Sequence, residues 1–210
     1  MVASLLVRHA STLQKLDLTL WTLSLPIAQA ITTLPALRDF SLRLESAQAV
    51  PRAYTSMLRK EERTAWALLA ATPEWTHSLR ALRIENTGIS VQQLLSLIEG
   101  AARLRDLRLS SCDMLTSSMW DASLFRKLSC LSVTDCANVH VTETAVGVIS
   151  KMQRLQTLDL RGCNGLDGEV LEQWNKNVWR VPVFVAPRPR GFLKEDLFIE
   201  VDPDYMLEPI

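Results

Sequence analysis

An α/β solenoid, in which a parallel sheet is backed by helices, is the fold class the sequence predicts, and three observations predict it. The first is a motif of the form LxxLxLxxC that occurs as LRDLRLSSC from Leu104 to Cys112, LSCLSVTDC from Leu128 to Cys136 and LQTLDLRGC from Leu155 to Cys163. The second is a set of weaker copies upstream: Leu79, Leu82 and Ile84 with Thr87 in the cysteine position; Leu37, Phe40 and Leu42 with Glu45; Leu13, Leu16 and Leu18 with Trp21. The third is the step between first leucines, which runs 24, 42, 25, 24 and 27 residues. Four of these match one strand plus one helix per unit, so the chain reads as six repeats with one long step.

The first residues lead into this frame as a half repeat, with Leu5, Leu6, His9 and Leu13 at near-helical spacing. After the first strand, Pro26 opens a short helix to Leu34, because proline's missing N–H falls where a helix has no partner for it. The long step predicts an insertion near residues 45–62: a loop over Glu45 to Thr55, then a helix from about Ser56 to Ala71 whose Arg59–Arg63 charge run faces solvent. In the next repeat Ser90 and Gln93 form a capping box, Leu94, Leu97 and Ile98 share a face, and Gly100 stops the helix. Met114 to Phe125 connects to the repeat at Leu128. Thr142 caps a helix through Met152, and Asp167 another through Trp174. The repeats thus occupy 1–180. The remainder, 181–210, reads as a C-terminal cap with an edge strand at Val181–Val185 and an acidic tail holding six acids and no Lys or Arg from Glu195 onward.

Bulk properties restrict the function classes. Lys plus Arg and Asp plus Glu are 23 each, so there is no electrostatic footprint for nucleic acid. The N-terminal apolar run breaks at Arg8 and does not form a signal peptide. The longest apolar run, Ala65 to Ala71, is far short of a membrane span, and no membrane partner is expected. Three of the four cysteines belong to the repeat frame as small, buried groups at a turn, and none forms CxxC. Reduced thiols and an intracellular location follow. His9, His77 and His140 fall in no HExxH or Cys-His signature, and no GxSxG occurs, so no catalytic residue, cofactor or metal is assigned. Trp66, Trp75, Trp120 and Trp174 read as packing residues. A repeat-based enzyme stands as the alternative from another class.

Alternation within LxxLxL turns the leucines inward and their neighbours outward. Stacking then makes columns of the outward residues. The central column reads Asp17, Ser41, Arg83, Arg108, Ser132 and Asp159, and the flanking columns add Arg43, Glu85, Asp106 and Arg161. Arg83 and Arg108 fall on adjacent strands, where like charges are unfavourable unless an acid meets them. Two readings stay open. In one, Asp106 and Glu85 neutralise the arginines internally. In the other, these ten residues form a strip that binds a protein partner through acidic or phosphorylated groups suited to guanidinium.

The three C-terminal motifs resemble the cysteine-containing leucine-rich repeat, and are similar to the repeats of fungal F-box/leucine-rich-repeat proteins, the substrate receptors of cullin-based ubiquitin ligases. The resemblance covers Leu13 to about Trp174 and is sharp from Leu104. It implies a horseshoe with a concave parallel sheet and convex helices, and a non-enzymatic role in recognising a protein substrate. The family's ligase adaptor binds a separate N-terminal F-box, for which there is no room before Leu13. The adaptor is therefore expected as a partner only if an F-box lies upstream. A free-standing regulatory scaffold is the alternative.

Overall fold

The computed structural model describes residues 2–45, 52–71, 73–121 and 123–187, with side chains omitted at 52–59, 121 and 123. Among the described residues the fold is α/β, with a parallel central sheet of seven strands and helices and no closed barrel. In chain order the elements are α1 (Val2–Arg8), β1 (Lys15–Leu20), α2 (Leu25–Thr32), β2 (Asp39–Leu44), α3 (Arg52–Ala70), β3 (Ala81–Glu85), α4 (Val91–Glu99), β4 (Asp106–Ser110), β5 (Cys130–Thr134), β6 (His140–Val141), α5 (Glu143–Ile149), β7 (Thr157–Asp159), β8 (Asn164–Gly165), α6 (Gly168–Trp174) and β9 (Val183–Val185). The sheet runs β1-β2-β3-β4-β5-β7-β9 in sequence order, while β6 and β8 form a separate parallel pair.

Register follows the LxxLxL frame without a slip. Leu16, Phe40, Leu82, Leu107, Leu131 and Leu158 align across the sheet, and so do Leu18, Leu42, Ile84, Leu109 and Val133. All are buried except Leu18, which is half-buried in β1, a strand paired on one side only among the described residues. Each first leucine from Leu37 onward closes the same short turn, its N–H donating to the carbonyl three residues back: Leu37 to Leu34, Leu79 to Thr76, Leu104 to Ala101, Leu128 to Phe125 and Leu155 to Met152.

The other end of each strand repeats as well. Asn86, Ser111, Asp135 and Gly162 have φ of 55°, 52°, 53° and 69°. This left-handed residue reverses the chain and buries the next side chain, which is Thr87, Cys112, Cys136 or Cys163. The Cys112 and Cys136 thiols each point at a carbonyl of the preceding strand and one of their own, and Cys163 lies 3.1 Å from the Val133 oxygen. All four cysteines are unpaired. Cysteine suits this place because it is small, apolar and still a weak donor.

Helix boundaries adjust several expectations. Ser90 and Gln93 do form the capping box, with Gln93 N–H donating to Ser90 Oγ and Ser90 N–H to Gln93 Oε1. Gly100, however, ends α4 in right-handed backbone at φ −75°, so it does not act through a positive φ. A Cβ there would lie 2.9 Å from Thr76 Cγ2, so the glycine is required by close approach. The helix of the long step begins at Arg52, four residues before the expected Ser56, and the loop expected to precede it lies mostly outside the described residues. Its charge run is not simply solvated. Glu62 Oε1 accepts from Gly88 N at 2.7 Å and from Trp66 Nε1 at 3.2 Å, which ties α3 to the turn after β3. The connector after β4 forms 3-10 turns at Ser117–Asp121 and Ser123–Lys127. There Trp120 and Phe125 are buried edge to face, 6.2 Å apart.

Trp66 and Trp75 are also fully buried, and Trp75 Nε1 donates to the Ile31 carbonyl. Trp174 is not a core residue; it stays 39% exposed and stacks at 6.3 Å on Trp179. β9 falls within the expected cap but joins the same sheet, pairing in parallel with β7. The acidic tail lies outside the described residues. Among the described residues no helix is long and apolar enough to cross a membrane. Leu131 and Cys136 are both fully buried, yet they differ in the volume removed by alanine. Denaturant melts should show Leu131→Ala losing ~2–5 kcal/mol and Cys136→Ala about 1 kcal/mol.

Candidate binding face

The residues that face away from the core meet as the frame requires. Asp17, Ser41, Arg83, Arg108, Ser132 and Asp159 are partners across successive strands, forming one row perpendicular to them. Beside it run the rows Thr19–Arg43–Glu85–Ser110–Thr134 and Lys15–Asp39–Ala81–Asp106–Cys130–Thr157. The middle of the face is a shallow depression of ≈ 460 Å³ whose lining includes Asp17, Ser41, Arg43, Arg83, Glu85 and Arg108.

Asp106 organises this centre. Its Oδ1 accepts from Arg108 Nε at 2.9 Å on its own strand, and its Oδ2 from Arg83 Nη2 at 3.3 Å on the neighbouring strand. One carboxylate thus separates two guanidiniums that the register makes neighbours. Both arginine side chains remain half-exposed, at 51% for Arg83 and 49% for Arg108. Most N–H donors of each fork have no partner among the described residues. Arg43 and Glu85 pair at 2.7 Å one row away. Burial on its own would raise the Asp106 pKa. The hydrogen bond and charge of Arg108, the Cys130 thiol and Arg83 outweigh it, and the carboxyl sits below its ordinary value. The hydrogen bond to Asp106 also raises the Arg108 pKa.

The expected set is brought together through β7, but its last central member is covered. Asp159 is only 8% exposed and is not an open member of the row. Arg161 lies past the end of β7 and folds back over it, bonding Oδ1 through Nε at 3.0 Å and Oδ2 through Nη2 at 2.7 Å, with its backbone N–H also donating to Oδ1. The frame expected Arg161 to continue the row of Thr134. β7 itself is three residues long, yet the backbone keeps Arg161 in that row: Asp135 N–H donates to the Arg161 carbonyl at 2.8 Å, as Ser111 N–H does to the Thr134 carbonyl. Cys130 is the residue that sequence reasoning passed over. It is the cysteine outside the repeat frame, half-buried on the face next to Asp106, and burial followed by the Asp106 charge pushes its thiol pKa up. Its outward position in the frame was the available signal.

The arrangement can hold an anionic group against two guanidiniums, since each keeps unpartnered N–H donors on its exposed half. Among the described residues no three His, Cys, Asp or Glu cluster closely enough to hold a metal ion. Compared with protein-family models and with curated proteins, the chain matches none.

The lowered Asp106 pKa fixes a sign. The stabilisation is present above the ordinary carboxylate value of about 3.9 and is lost as pH falls through the folded value. The stability difference between wild type and Asp106→Asn, measured by urea melts, should therefore shrink as pH drops below about 4. The four thiols should separate in native labelling at mildly alkaline pH. Cys130 reacts first, while Cys163, buried and raised to about 12, reacts only with global unfolding.

Proposed function

We propose that the chain is a leucine-rich repeat solenoid and that its concave sheet face binds a protein partner, as in the substrate-binding region of an F-box/leucine-rich-repeat receptor. Support for the solenoid comes from the repeating unit: the same turn before β2, β3, β4, β5 and β7, a left-handed residue after β3, β4, β5 and β7, and in-register parallel pairing along the sheet. Such stacks present extended binding surfaces. The observation that carries the functional reading is the Arg83–Asp106–Arg108 centre. A structural pair would gain from enclosure, whereas these guanidiniums are half-exposed over a depression, with most of their donors turned to solvent. Arginine in that setting suits a carboxylate or phosphate brought by a partner, and arginine is enriched among interface hot spots.

No catalytic step or cofactor is assigned to the face. Whether it serves a ligase receptor or a free-standing regulatory scaffold is separated by what accompanies it. A receptor within a full-length gene product recovers the ligase adaptor and cullin along with its substrate; a scaffold recovers the partner without them.

The test is affinity capture from cells with quantitative mass spectrometry, comparing wild type with Arg83→Ala and Arg108→Ala. Each substitution should reduce the captured partner by about tenfold, or ~1.4 kcal/mol, with the melting temperature nearly unchanged. Lys60→Ala, exposed on α3, should do neither. If the arginine variants lose stability but capture the same proteins in the same amounts, the face is structural and the proposal falls.

A further inference from the structure

Charge on this molecule is balanced overall but segregated across the sheet. The segments leading into β2, β3, β4, β5 and β7 (33–38, 71–80, 100–105, 126–129 and 150–156) together hold eight Lys and Arg and a single acid, Glu74. The segments leaving the strands carry the opposite sign, with Glu45, Asp113, Asp135 and Asp167 against Arg161. Because the strands are parallel and in register, all entry segments lie along one rim of the sheet and all exit segments along the other.

The basic rim is ordered by the backbone itself. Arg38, Arg80 and Arg105 occupy the same position on three successive strands, with Arg80 N–H donating to the Arg38 carbonyl at 2.7 Å and Arg105 N–H to the Arg80 carbonyl at 2.9 Å. The ladder continues through Ser129 and Gln156, and there the charge is carried by Arg126, Lys151 and Arg154 around a shallow hollow. From β2 to β7 the row spans about 19 Å at the usual strand spacing. None of these six side chains takes part in an ion pair among the described residues. Five of them are exposed, and Arg105 is half-exposed while bonding the Ala102 and Leu104 carbonyls.

A single file of like charges held at strand spacing repels itself and is stabilised by an anion that lies along it. We propose that this rim is a second docking surface, separate from the concave face, and that its partner is an acidic polypeptide segment in extended conformation. Over Arg38, Arg80 and Arg105 the charges stand one per strand, which matches a single extended chain, and they widen at the hollow of Arg126, Lys151 and Arg154. The entry segments expose no Phe, Tyr or Trp on which bases could stack, since Trp75 is buried.

The experiment is fluorescence anisotropy of the full chain with a labelled peptide of alternating Glu and Gly, with a short duplex RNA as comparison. The peptide should bind, and its affinity should fall steeply as salt rises from about 50 to 200 mM, since these charges are solvent-exposed. Arg80→Glu and Arg105→Glu should each weaken it by about tenfold or more. Arg83→Ala, on the concave face, should leave it within about twofold; circular-dichroism melts verify that the variants fold. Failure of the peptide to bind, or loss with Arg83→Ala and not with the rim variants, overturns the proposal. Tighter binding of the duplex with the same rim dependence overturns the partner class. The readouts are independent of the arginine face, so failure of either surface leaves the other standing.

Discussion

In-register pairing of parallel strands is the constraint on which the rest of this molecule depends. The ladder runs from Lys15–Asp39 to Asp159–Val185 without a slip. A shift by one residue in any strand would turn its leucines to solvent and its charges into the core. Register therefore converts a local alternation into continuous rows: leucines beneath the sheet, charges above it, arginines and lysines along one rim, acids along the other.

The turn chemistry holds that register. A left-handed residue at Asn86, Ser111, Asp135 and Gly162 ends the strands at matching points, and the N–H groups of Asn86, Ser111 and Asp135 donate to the next strand. A small donor-bearing side chain then enters the core at Thr87, Cys112, Cys136 and Cys163. Threonine stands in the cysteine position after β3, where its buried hydroxyl lies 3.8 Å from Cys112 Sγ. A larger apolar residue would fill the space without approaching the carbonyls.

Charge placement obeys a different logic from burial. Asp106 meets Arg83 only because β3 and β4 are adjacent, although 23 residues separate the two in the chain. At the other end Arg161 turns back on Asp159, two residues away, as Arg108 does on Asp106. The first arrangement leaves donors directed at solvent, and the second closes over a carboxylate.

The frame, the strand positions, the three caps at Ser90, Thr142 and Asp167, and the membership of the central row were legible in the sequence. All of these rest on contacts within a few residues or on a period that repeats. What lay beyond it depended on segments distant in sequence. Glu62 looked like part of a solvated run, but Gly88 and Trp66 give it hydrogen bonds. Gly100 stops its helix as read, but only the fold shows that a Cβ there would crowd the Thr76 methyl. Asp159 belonged to the exposed row by period, yet the Arg161 side chain folds over it and leaves it 8% exposed. A net charge of zero likewise concealed two rims of opposite sign, because composition adds charges and only the parallel topology sorts them. The sequence by itself determined which way each side chain faces; the tertiary structure decided which of those side chains meet.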